Sequence, residues 1–233
     1  MSSYDPFAAD YDVWSADMTE DVGWYVELAR EAREPIVELA VGSGRVAIPI
    51  ARETGKRVIG IDRSPAMLAI ARDRAEGLSL ELREGDIREL ELEEPVDLVI
   101  CPFRSLLHLP TWDDKRRVFE RVAAALCPGG RFAWNVFAFS PLIAASLHDR
   151  RVERAPGYWE VCHFVPADSR LEITRGRDEE VTGVLQLWWM TKAECEGLID
   201  VAGLEVEARF GGFGREPLDD DAMELVWVAR KPA

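Results

Sequence analysis

The chain has 233 residues and is 48% hydrophobic, which predicts a folded protein with a buried core rather than a disordered chain. Its 28 basic and 43 acidic residues give a net charge of −15, which disfavours nucleic acid as a partner because phosphate binding needs a basic surface. No apolar run is long enough to span a membrane, so we expect a small-molecule partner and no membrane contact.

The N-terminus and the cysteines indicate the compartment. The opening segment MSSYDPFAADYD has neither the basic start nor the apolar stretch of a signal peptide. There is no CxxC pair, and the histidines show no spacing typical of a metal site. The residues concerned are Cys101, Cys127, Cys162, Cys195, His108, His148 and His163. We therefore expect a cytoplasmic protein with reduced thiols and no bound metal.

Short apolar strands alternate with helices along the first 137 residues. The predicted helices lie at about 18–33, 45–53, 65–77 and 112–126, and the predicted strands at 36–41, 57–62, 78–84, 96–101 and 131–137. Ser64-Pro65 and the pair Thr111 and Asp114 are typical helix starts. This alternation predicts a parallel sheet with helices on both faces.

The pattern changes between residues 140 and 190. The segments YWEVCHFV, RLEITR and VLQLWWM alternate like antiparallel strands, with PADS as a turn. A capping box at Thr191 then begins a helix that ends at Gly203, and LEVEARF and AMELVWVAR follow as strands. We expect one α/β domain made of residues 1–139 and 191–233, interrupted by a β insertion at 140–190.

A glycine turn follows the first strand in the run VELAVGSGRVA. Residues 42–47 fit the G-x-G-x-x-G/A fingerprint of dinucleotide-binding folds, and Asp62 ends the next strand, where a ribose-binding carboxylate belongs. This pattern alone fits a NAD(P)-dependent oxidoreductase. A P-loop is excluded because no Gly-Lys-Ser/Thr follows the turn.

Three features favour a ligand other than a dinucleotide. Glu38 precedes the turn, where a carboxylate would repel a pyrophosphate and attract an ammonium or sulfonium. In the run EGDIREL, Asp86 can accept a hydrogen bond from an adenine amino group while Ile87 packs on the ring. The run GGFGREPLDD between the last two strands indicates a terminal hairpin with a reversed last strand.

On these residues the chain resembles the class I S-adenosylmethionine-dependent methyltransferases that act on small molecules, over almost its whole length. ELAVGSG is similar to their first motif, with Ala40 in place of a glycine, and GIDRSPAML, GDIREL, DLVICPFRSLLHL, LCPGGRFAWNVF and YDPFAADYDVW resemble later and N-terminal motifs. The resemblance implies a Rossmann-like seven-stranded, mostly parallel sheet in the order 3-2-1-4-5-7-6. Its last strand would be antiparallel, and the small β insertion would act as a cap.

The resemblance also implies S-adenosylmethionine as cofactor, S-adenosylhomocysteine as product, and a set of contacts. Glu38 would hold the amino group, Asp62 the ribose hydroxyls, and Asp86 the adenine, with Tyr11 closing over the ligand. The implied cofactor-binding residues are Tyr11, Glu38, Ala40, Gly42, Arg45, Asp62, Arg63, Met67, Asp86, Ile87, Cys101 and Phe103.

The catalytic and acceptor residues are less marked. His108 follows the fourth strand and is either a general base titrating near pH 6.5 or a hydrogen-bonded structural histidine. Arg104 is expected either to bind an acidic substrate or to face solvent. The insertion's aromatic residues line an acceptor pocket or form the insertion's own core. These are Tyr158, Trp159, Trp188 and Trp189.

The arginines in the two clusters at 150–151 and 175–177 are interpreted as solvated surface. The predicted function is methyl transfer to a nitrogen or oxygen of a small molecule. The alternatives are a NAD(P)-dependent oxidoreductase and a non-catalytic S-adenosylmethionine-binding module. The residues leave open which acceptor is used and whether nitrogen or oxygen is methylated.

Overall fold

The computed structural model describes residues 4–233, apart from the side chains of residues 6, 7, 9 and 12. The helices are α1 (Tyr11–Ser15), α2 (Glu20–Glu31), α3 (Ala47–Thr54), α4 (Pro65–Arg74), α5 (Trp112–Ala125), α6 (Pro141–Leu147) and α7 (Lys192–Val201). Short 3-10 helices lie at Asp5–Asp10, Ile87–Glu89, Ser105–His108 and Pro166–Asp168. None of the helices within residues 4–233 has the length and apolar character needed to cross a bilayer.

The strands form two sheets. They are β1 (Ile36–Leu39), β2 (Val58–Asp62), β3 (Leu80–Glu84), β4 (Val96–Cys101), β5 (Leu126–Phe137), β6 (Arg151–Ala155), β7 (Tyr158–Val165), β8 (Arg170–Arg177), β9 (Glu180–Trp188), β10 (Glu205–Phe210) and β11 (Glu224–Arg230). One sheet has seven strands and the other has four.

The large sheet has the order β10-β11-β5-β4-β1-β2-β3. Strand β1 is parallel to both of its neighbours, with Ile36 opposite Val58 on one side and Leu98 on the other. Strand β11 is antiparallel to β10 and to β5. Counted along the chain within this sheet, the order is 3-2-1-4-5-7-6 with a reversed last strand, so the predicted fold is confirmed.

Both faces of the large sheet are covered, as the unbroken apolar strands predict. Helices α5 and α7 pack on one face around the fully buried Phe119, and α2, α3 and α4 pack on the other around Tyr25 and Leu68. Trp134 and Trp227 lie opposite each other on β5 and β11 and stack with their ring centroids 6.0 Å apart. Aromatic pairs of this kind add about 0.5–1.5 kcal/mol beyond their buried area.

Hydroxyl side chains begin four of the helices. In each case the hydroxyl oxygen accepts a hydrogen bond from the backbone N–H three residues later, which satisfies a donor that the first turn leaves unpaired. The capping residues are Ser64, Thr111, Ser140 and Thr191. Three of these caps were predicted, whereas the cap of α6 was not, because α6 is short and has no clear apolar period.

The small sheet has the antiparallel order β6-β7-β8-β9 and lies between β5 and α7 in the chain. The predicted antiparallel strands are confirmed as β7, β8 and β9. Strand β6 was missed because RVERA is an edge strand with mostly exposed residues, so it has no buried face to produce an apolar pattern. Strand β9 contacts the Ser105–His108 helix, which places the small sheet over the end of β4.

Candidate functional site

A cavity of about 350 Å³ lies at the carboxyl ends of β1, β2 and β4. The glycine turn after β1, the ends of β2 and β3, and the turn after β4 form its floor and sides, while β9 of the small sheet forms part of its wall. Ligands of open parallel α/β sheets bind at this edge, in the crevice where the strand order reverses.

Nearly all of the site residues predicted from the sequence line this cavity. Its lining includes Tyr11, Glu38, Ala40, Gly42, Arg45, Asp62, Arg63, Met67, Asp86, Ile87, Phe103 and His108. Cys101 is the exception, since its fully buried side chain packs in the core on the α5 and α7 side. The alternation of β4 turns Cys101 to the same side as Val99, so only the backbone of this residue adjoins the turn.

Left-handed backbone shapes the glycine turn. Ala40, Gly42 and Gly44 have φ values of 56°, 55° and 82°. A Cβ at Gly44 would lie 2.7 Å from a methyl carbon of Ile48, so no larger residue fits there. Ala40 replaces the family's glycine at a conformation that costs an L-residue roughly 1–2 kcal/mol. Alanine at position 40 therefore adds backbone strain beside the cavity but leaves the cavity open.

Glu38 is a buried acid at the bottom of the cavity, with only 2% of its surface exposed. Burial raises the pKa of its carboxyl well above the ordinary value, and nearby Arg45 acts in the opposite direction. One carboxyl oxygen, Oε2, is buried and has no hydrogen-bond partner among residues 4–233 as described. Because an unpaired buried acceptor is costly, this oxygen fits a ligand that brings a donor, and a positive donor best of all.

Asp62 joins the glycine turn to the start of α4. Its Oδ2 accepts the Gly42 N–H at 2.8 Å and its Oδ1 accepts the Ser64 N–H at 2.8 Å. Burial raises the pKa of the carboxyl, and these backbone hydrogen bonds partly offset the shift. Each carboxylate oxygen has a second lone pair, so Asp62 can hold the turn and still accept ligand hydroxyls.

Two predicted arginines have structural partners. Arg45 forms two 2.6 Å hydrogen bonds to the buried Asp21 and one of 2.8 Å to the Met18 carbonyl, which ties the glycine turn to α2. Arg104 forms an ion pair with Glu224 at the start of β11. Its acidic partner comes from a strand 120 positions away along the chain, a contact that neither expectation for Arg104 included.

Asn135 on β5 supports the turn after β4. Phe103 and Arg104 both have left-handed backbone, with φ values of 57° and 63°. The Asn135 Oδ1 accepts the Phe103 N–H at 2.9 Å and the Tyr25 hydroxyl at 3.1 Å, while its Nδ2 donates to Glu224 at 2.9 Å. Asn135 was not among the residues predicted for the site, although a lone amide within the buried run RFAWNVF is a usable signal.

We expect Asn135→Ala to lower the free energy of unfolding by about 2 kcal/mol, because it leaves buried polar partners unsatisfied. Urea unfolding monitored by circular dichroism measures the change. Ser146→Ala is the control, since it removes a hydrogen bond at an exposed site and should cost less than about 0.5 kcal/mol. Equal stability of Asn135→Ala and wild type would contradict this role.

A second cavity of about 250 Å³ adjoins the first. Tyr4, Phe103 and His108 line both cavities and therefore form the boundary between them. The Tyr4 hydroxyl lies 2.9 Å from His108 Nε2. Burial lowers the pKa of His108 to about 4, and the positive charge of Arg175 adds to this shift, while a hydrogen bond to the Gln186 backbone opposes it. Burial raises the pKa of the Tyr4 hydroxyl to about 12. At neutral pH the imidazole is therefore neutral, and its Nε2 accepts a hydrogen bond from the Tyr4 hydroxyl.

The insertion's aromatic residues divide between the two predicted roles. Trp188 lines the first cavity, whereas Trp189 is buried and stacks on Phe139 with ring centroids 4.2 Å apart. Tyr158 donates a hydrogen bond to Asp10, and Trp159 donates one to the Asp178 carbonyl. Of these four residues, only Trp188 lines the first or the second cavity.

Arg175 is not part of a solvated surface, contrary to the expectation for its cluster. Its side chain is on β8 and only 6% of the residue is exposed. Its guanidinium carbon lies 3.4 Å from the centroid of the Trp14 ring, within the wall of the second cavity. The period-2 pattern of β8 places Arg175 on the same face as Ile173, which a charge count along the chain does not reveal.

Two histidines that are distant in the sequence meet on the insertion. The rings of His148 and His163 are 4.8 Å apart, and Asp149 lies 2.8 Å from His163 Nδ1. His148 Nδ1 accepts the Phe164 N–H, so the neutral ring carries its proton on Nε2 and does not offer that atom to a metal. The exposed group His148, Asp149 and His163 therefore forms a hydrogen-bonded cluster.

Comparisons with known proteins agree with this geometry. Residues 36–130 match the family described as Methyltransferase domain. The dTDP-4-amino-2,3,4,6-tetradeoxy-D-glucose N,N-dimethyltransferase of Saccharopolyspora spinosa is 34% identical over 55% of this chain and 54% of its own. This chain spans about half the length of the first curated relatives that it matches.

Solved structures extend the likeness to the whole chain. The CcbJ methyltransferase from Streptomyces caelestis is 25% identical with a TM-score of 0.85, covering 100% of this chain and 99% of that one. The S-adenosylmethionine-bound CalS10, an amino pentose methyltransferase from Micromonospora echinaspora, shares the fold with 22% identity and a TM-score of 0.69, covering 94% of this chain and 91% of that one.

The strand order, the reversed β11 and the cavity at the ends of β1, β2 and β4 define a class I S-adenosylmethionine-dependent methyltransferase fold. Residues 36–130 match the Methyltransferase domain family, and the likeness beyond that segment is one of fold. The glycine turn lies within the matched segment.

Proposed function

We propose that the protein transfers the methyl group of S-adenosylmethionine to a nitrogen or oxygen of a small molecule. The observation that carries the proposal is Glu38, a buried carboxyl with an unpartnered oxygen in the first cavity. A ligand with an ammonium group brings that oxygen a positively charged donor, whereas the pyrophosphate of a dinucleotide would be repelled by the ionised carboxyl. When bound, S-adenosylmethionine supplies an electrophilic methyl group on a sulfonium.

Different residues of the first cavity bind different parts of the ligand. Glu38 receives the ammonium group and Asp62 accepts the ribose hydroxyls. Asp86 is held ionised by Arg88, which lowers the pKa of its carboxyl, so it can accept the adenine amino group while Ile87 packs on the ring. Tyr11 is 7% exposed and contacts Phe103 edge to face, so it closes the cavity beside the sulfonium.

The acceptor occupies the second cavity. Because Tyr4, Phe103 and His108 line both cavities, the methyl group passes at that boundary. The insertion at 140–190 covers the acceptor, and residues 1–139 with 191–233 hold the cofactor. The similarity to a dTDP-4-amino-2,3,4,6-tetradeoxy-D-glucose N,N-dimethyltransferase supports nitrogen as the acceptor atom. Catalysis is mainly alignment, since holding two reactants in line removes a large entropic barrier.

The cellular setting follows from composition. The four cysteines are free, which fits the reducing cytoplasm. The net charge of −15 supports a small molecule rather than a nucleic acid as partner. We therefore place the reaction in the cytoplasm with a free small-molecule acceptor.

Calorimetry with S-adenosylmethionine, S-adenosylhomocysteine and NAD tests the cofactor, and a panel of small amines and hydroxy compounds tests the acceptor. We expect both adenosyl ligands to bind, NAD not to bind, and S-adenosylhomocysteine to form with at least one panel member. Binding of NAD without either adenosyl ligand would overturn the proposal. Binding without transfer to any acceptor would support the non-catalytic module instead.

The lowered pKa of His108 gives a prediction about pH. An imidazole with a pKa of about 4 does not titrate between about pH 5.5 and 8. The pH–rate profile should therefore lack the acidic limb near pH 6.5 that a general base with an ordinary histidine pKa would produce. We expect His108→Gln to lower kcat by roughly 10²-fold, as removal of a base or its alignment would, without changing the shape of the pH profile in that range.

The matched control is His148→Gln, an exposed histidine of the insertion, which should leave kcat unchanged. S-adenosylhomocysteine affinity should be nearly the same in both variants and in wild type. A wild-type limb near pH 6.5 that disappears in His108→Gln would show that the imidazole titrates there and would refute this prediction.

A further inference from the structure

Arg175 places a buried guanidinium on the wall of the second cavity. Its guanidinium carbon lies over the ring of Trp14, on α1, 3.4 Å from the ring centroid, so the indole face contacts the charged group. A guanidinium has five N–H donors, so Arg175 can keep its contacts within the protein and still donate to a ligand. Burial lowers the pKa of Arg175, and Tyr4 and Glu160 act in the opposite direction.

Trp14 is itself held from a second side. Its Nε1–H donates to Glu160 at 3.1 Å, and Arg154 lies 3.2 Å from the same carboxylate. Glu160 is 8% exposed, so this group is nearly as buried as Arg175. The indole is therefore fixed at its edge and on its face, and it acts as a rigid platform for the Arg175 guanidinium.

The charges around this cavity are unequal in sign. Among the described lining residues, the ionisable acids and strong bases are three arginines and one glutamate. This excess of positive charge on the described lining favours a negative group on whatever enters, because opposite charges attract more strongly away from bulk water.

The rest of the lining is apolar. It includes Phe137 on β5, Leu147 on α6, Phe164 on β7 and Leu185 on β9. The volume of about 250 Å³ is near the lower end of small-molecule sites, which hold roughly 300–1,000 Å³. These dimensions suit a compact apolar molecule with one polar end.

We propose that Arg175 binds a carboxylate of the methyl acceptor, so that the acceptor is a compact apolar carboxylic acid. Its carboxylate lies at Arg175, and its nitrogen or oxygen nucleophile lies at the Tyr4 and His108 boundary. The carboxylate is an anchor and is not itself methylated. A guanidinium pairs with a carboxylate through two parallel hydrogen bonds, whereas a doubly charged phosphate needs more donors than this largely apolar wall provides. This inference rests on the proposed function.

The test uses the full chain saturated with S-adenosylhomocysteine, so that the first cavity is filled. Calorimetric titration compares 4-phenylbutyrate with the isosteric neutral 4-phenylbutanamide, in wild type, Arg175→Met, Arg175→Lys and Arg151→Met. Arg151 is the matched control because its guanidinium also stacks on an indole, that of Trp159 at 4.4 Å, but at an exposed site outside the second cavity.

We expect wild type and Arg151→Met to bind the carboxylate at least about tenfold more tightly than the amide, as for a charge-assisted pair worth about 1.4 kcal/mol. Arg175→Met should bind the two probes equally, and Arg175→Lys should keep part of the preference. Equal binding of both probes to wild type, no millimolar binding of either, or an unchanged preference in Arg175→Met would overturn the inference.

Two outcomes need separate interpretation. If Arg175→Met does not fold, the carboxylate preference is compared between wild type and Arg175→Lys, which both keep a positive charge at this position. Failure of S-adenosylhomocysteine to bind to wild type would refute the proposed function, whereas normal binding of it without a carboxylate preference would refute this inference alone.

Discussion

Glu38→Gln is expected to weaken S-adenosylmethionine binding by roughly 30- to 150-fold, equivalent to about 2–3 kcal/mol. The buried Oε2 of Glu38 has no partner among the described residues, and the ligand's ammonium group is the donor we assign to it. An amide keeps the shape of the side chain and loses its charge, so the change isolates the ionic contribution. Calorimetry with S-adenosylmethionine measures the loss.

The same variant should be more stable than wild type without ligand. Folding raises the pKa of Glu38, so the folded state holds a proton that the unfolded state releases at neutral pH. The free energy of unfolding of wild type should therefore fall as pH rises from about 4.5, the ordinary value, towards the raised pKa. Glutamine has no charge to bury, so this decline should shrink in Glu38→Gln.

Ligand binding should reverse that proton preference. An ammonium group favours the ionised form of Glu38, so binding should release a proton and affinity should rise with pH in wild type. Titrations in buffers of different ionisation enthalpy detect the proton. Glu76→Gln, at an exposed position after α4, is the control and should change neither affinity nor proton release. Unchanged affinity in Glu38→Gln would remove the ammonium assignment.

Asp62→Ala is expected to weaken S-adenosylmethionine binding by about 2–3 kcal/mol, because a carboxylate bridging two ribose hydroxyls makes charge-assisted hydrogen bonds. It should also lower the free energy of unfolding by about 1–3 kcal/mol, since the Gly42 and Ser64 N–H groups lose their acceptor. The fold should survive, because Asp62 lies at the end of β2 rather than in the core.

Asp62→Asn separates the two effects. Its one carbonyl oxygen can accept only part of the hydrogen bonds, so both losses should be intermediate. Calorimetry and urea unfolding measure them in parallel, with Asp73→Ala on the exposed face of α4 as the control. Full affinity in Asp62→Ala would show that the ribose is held elsewhere, whatever the change in stability.

The local signals in the sequence were sufficient for the large sheet. Apolar runs alternating with capped helices specified β1 to β5, because a strand buried on both faces leaves an unbroken apolar pattern. The glycine turn and Asp62 were found for a similar reason, since left-handed backbone at Gly44 and a carboxylate at a strand end are requirements of a few neighbouring residues. The resemblance to a known family added the strand order and the reversed β11.

Contacts between distant segments could not be predicted in this way. Asn135 meets Tyr25 and Glu224, and Arg104 meets Glu224, across separations of 89 to 120 positions. Tyr4 reaches His108 across 104 positions, and burial in that place lowers the histidine pKa to about 4. A pattern of residue types carries no information on such pairs, because their partners depend on how whole elements pack.

Short-range periodicity and turn chemistry in the sequence therefore predicted the alternating strands and helices and the glycine turn of the first cavity, while the family resemblance supplied the strand order, the expected cofactor and most of the residues assigned to it. Only the tertiary structure decided the second cavity. Arg175 became a buried wall residue because Trp14 from the N-terminal segment packs against β8 of the insertion. Burial and charge pairing arise from the packing of remote segments, and that packing, rather than any local pattern, sets what the second cavity can bind.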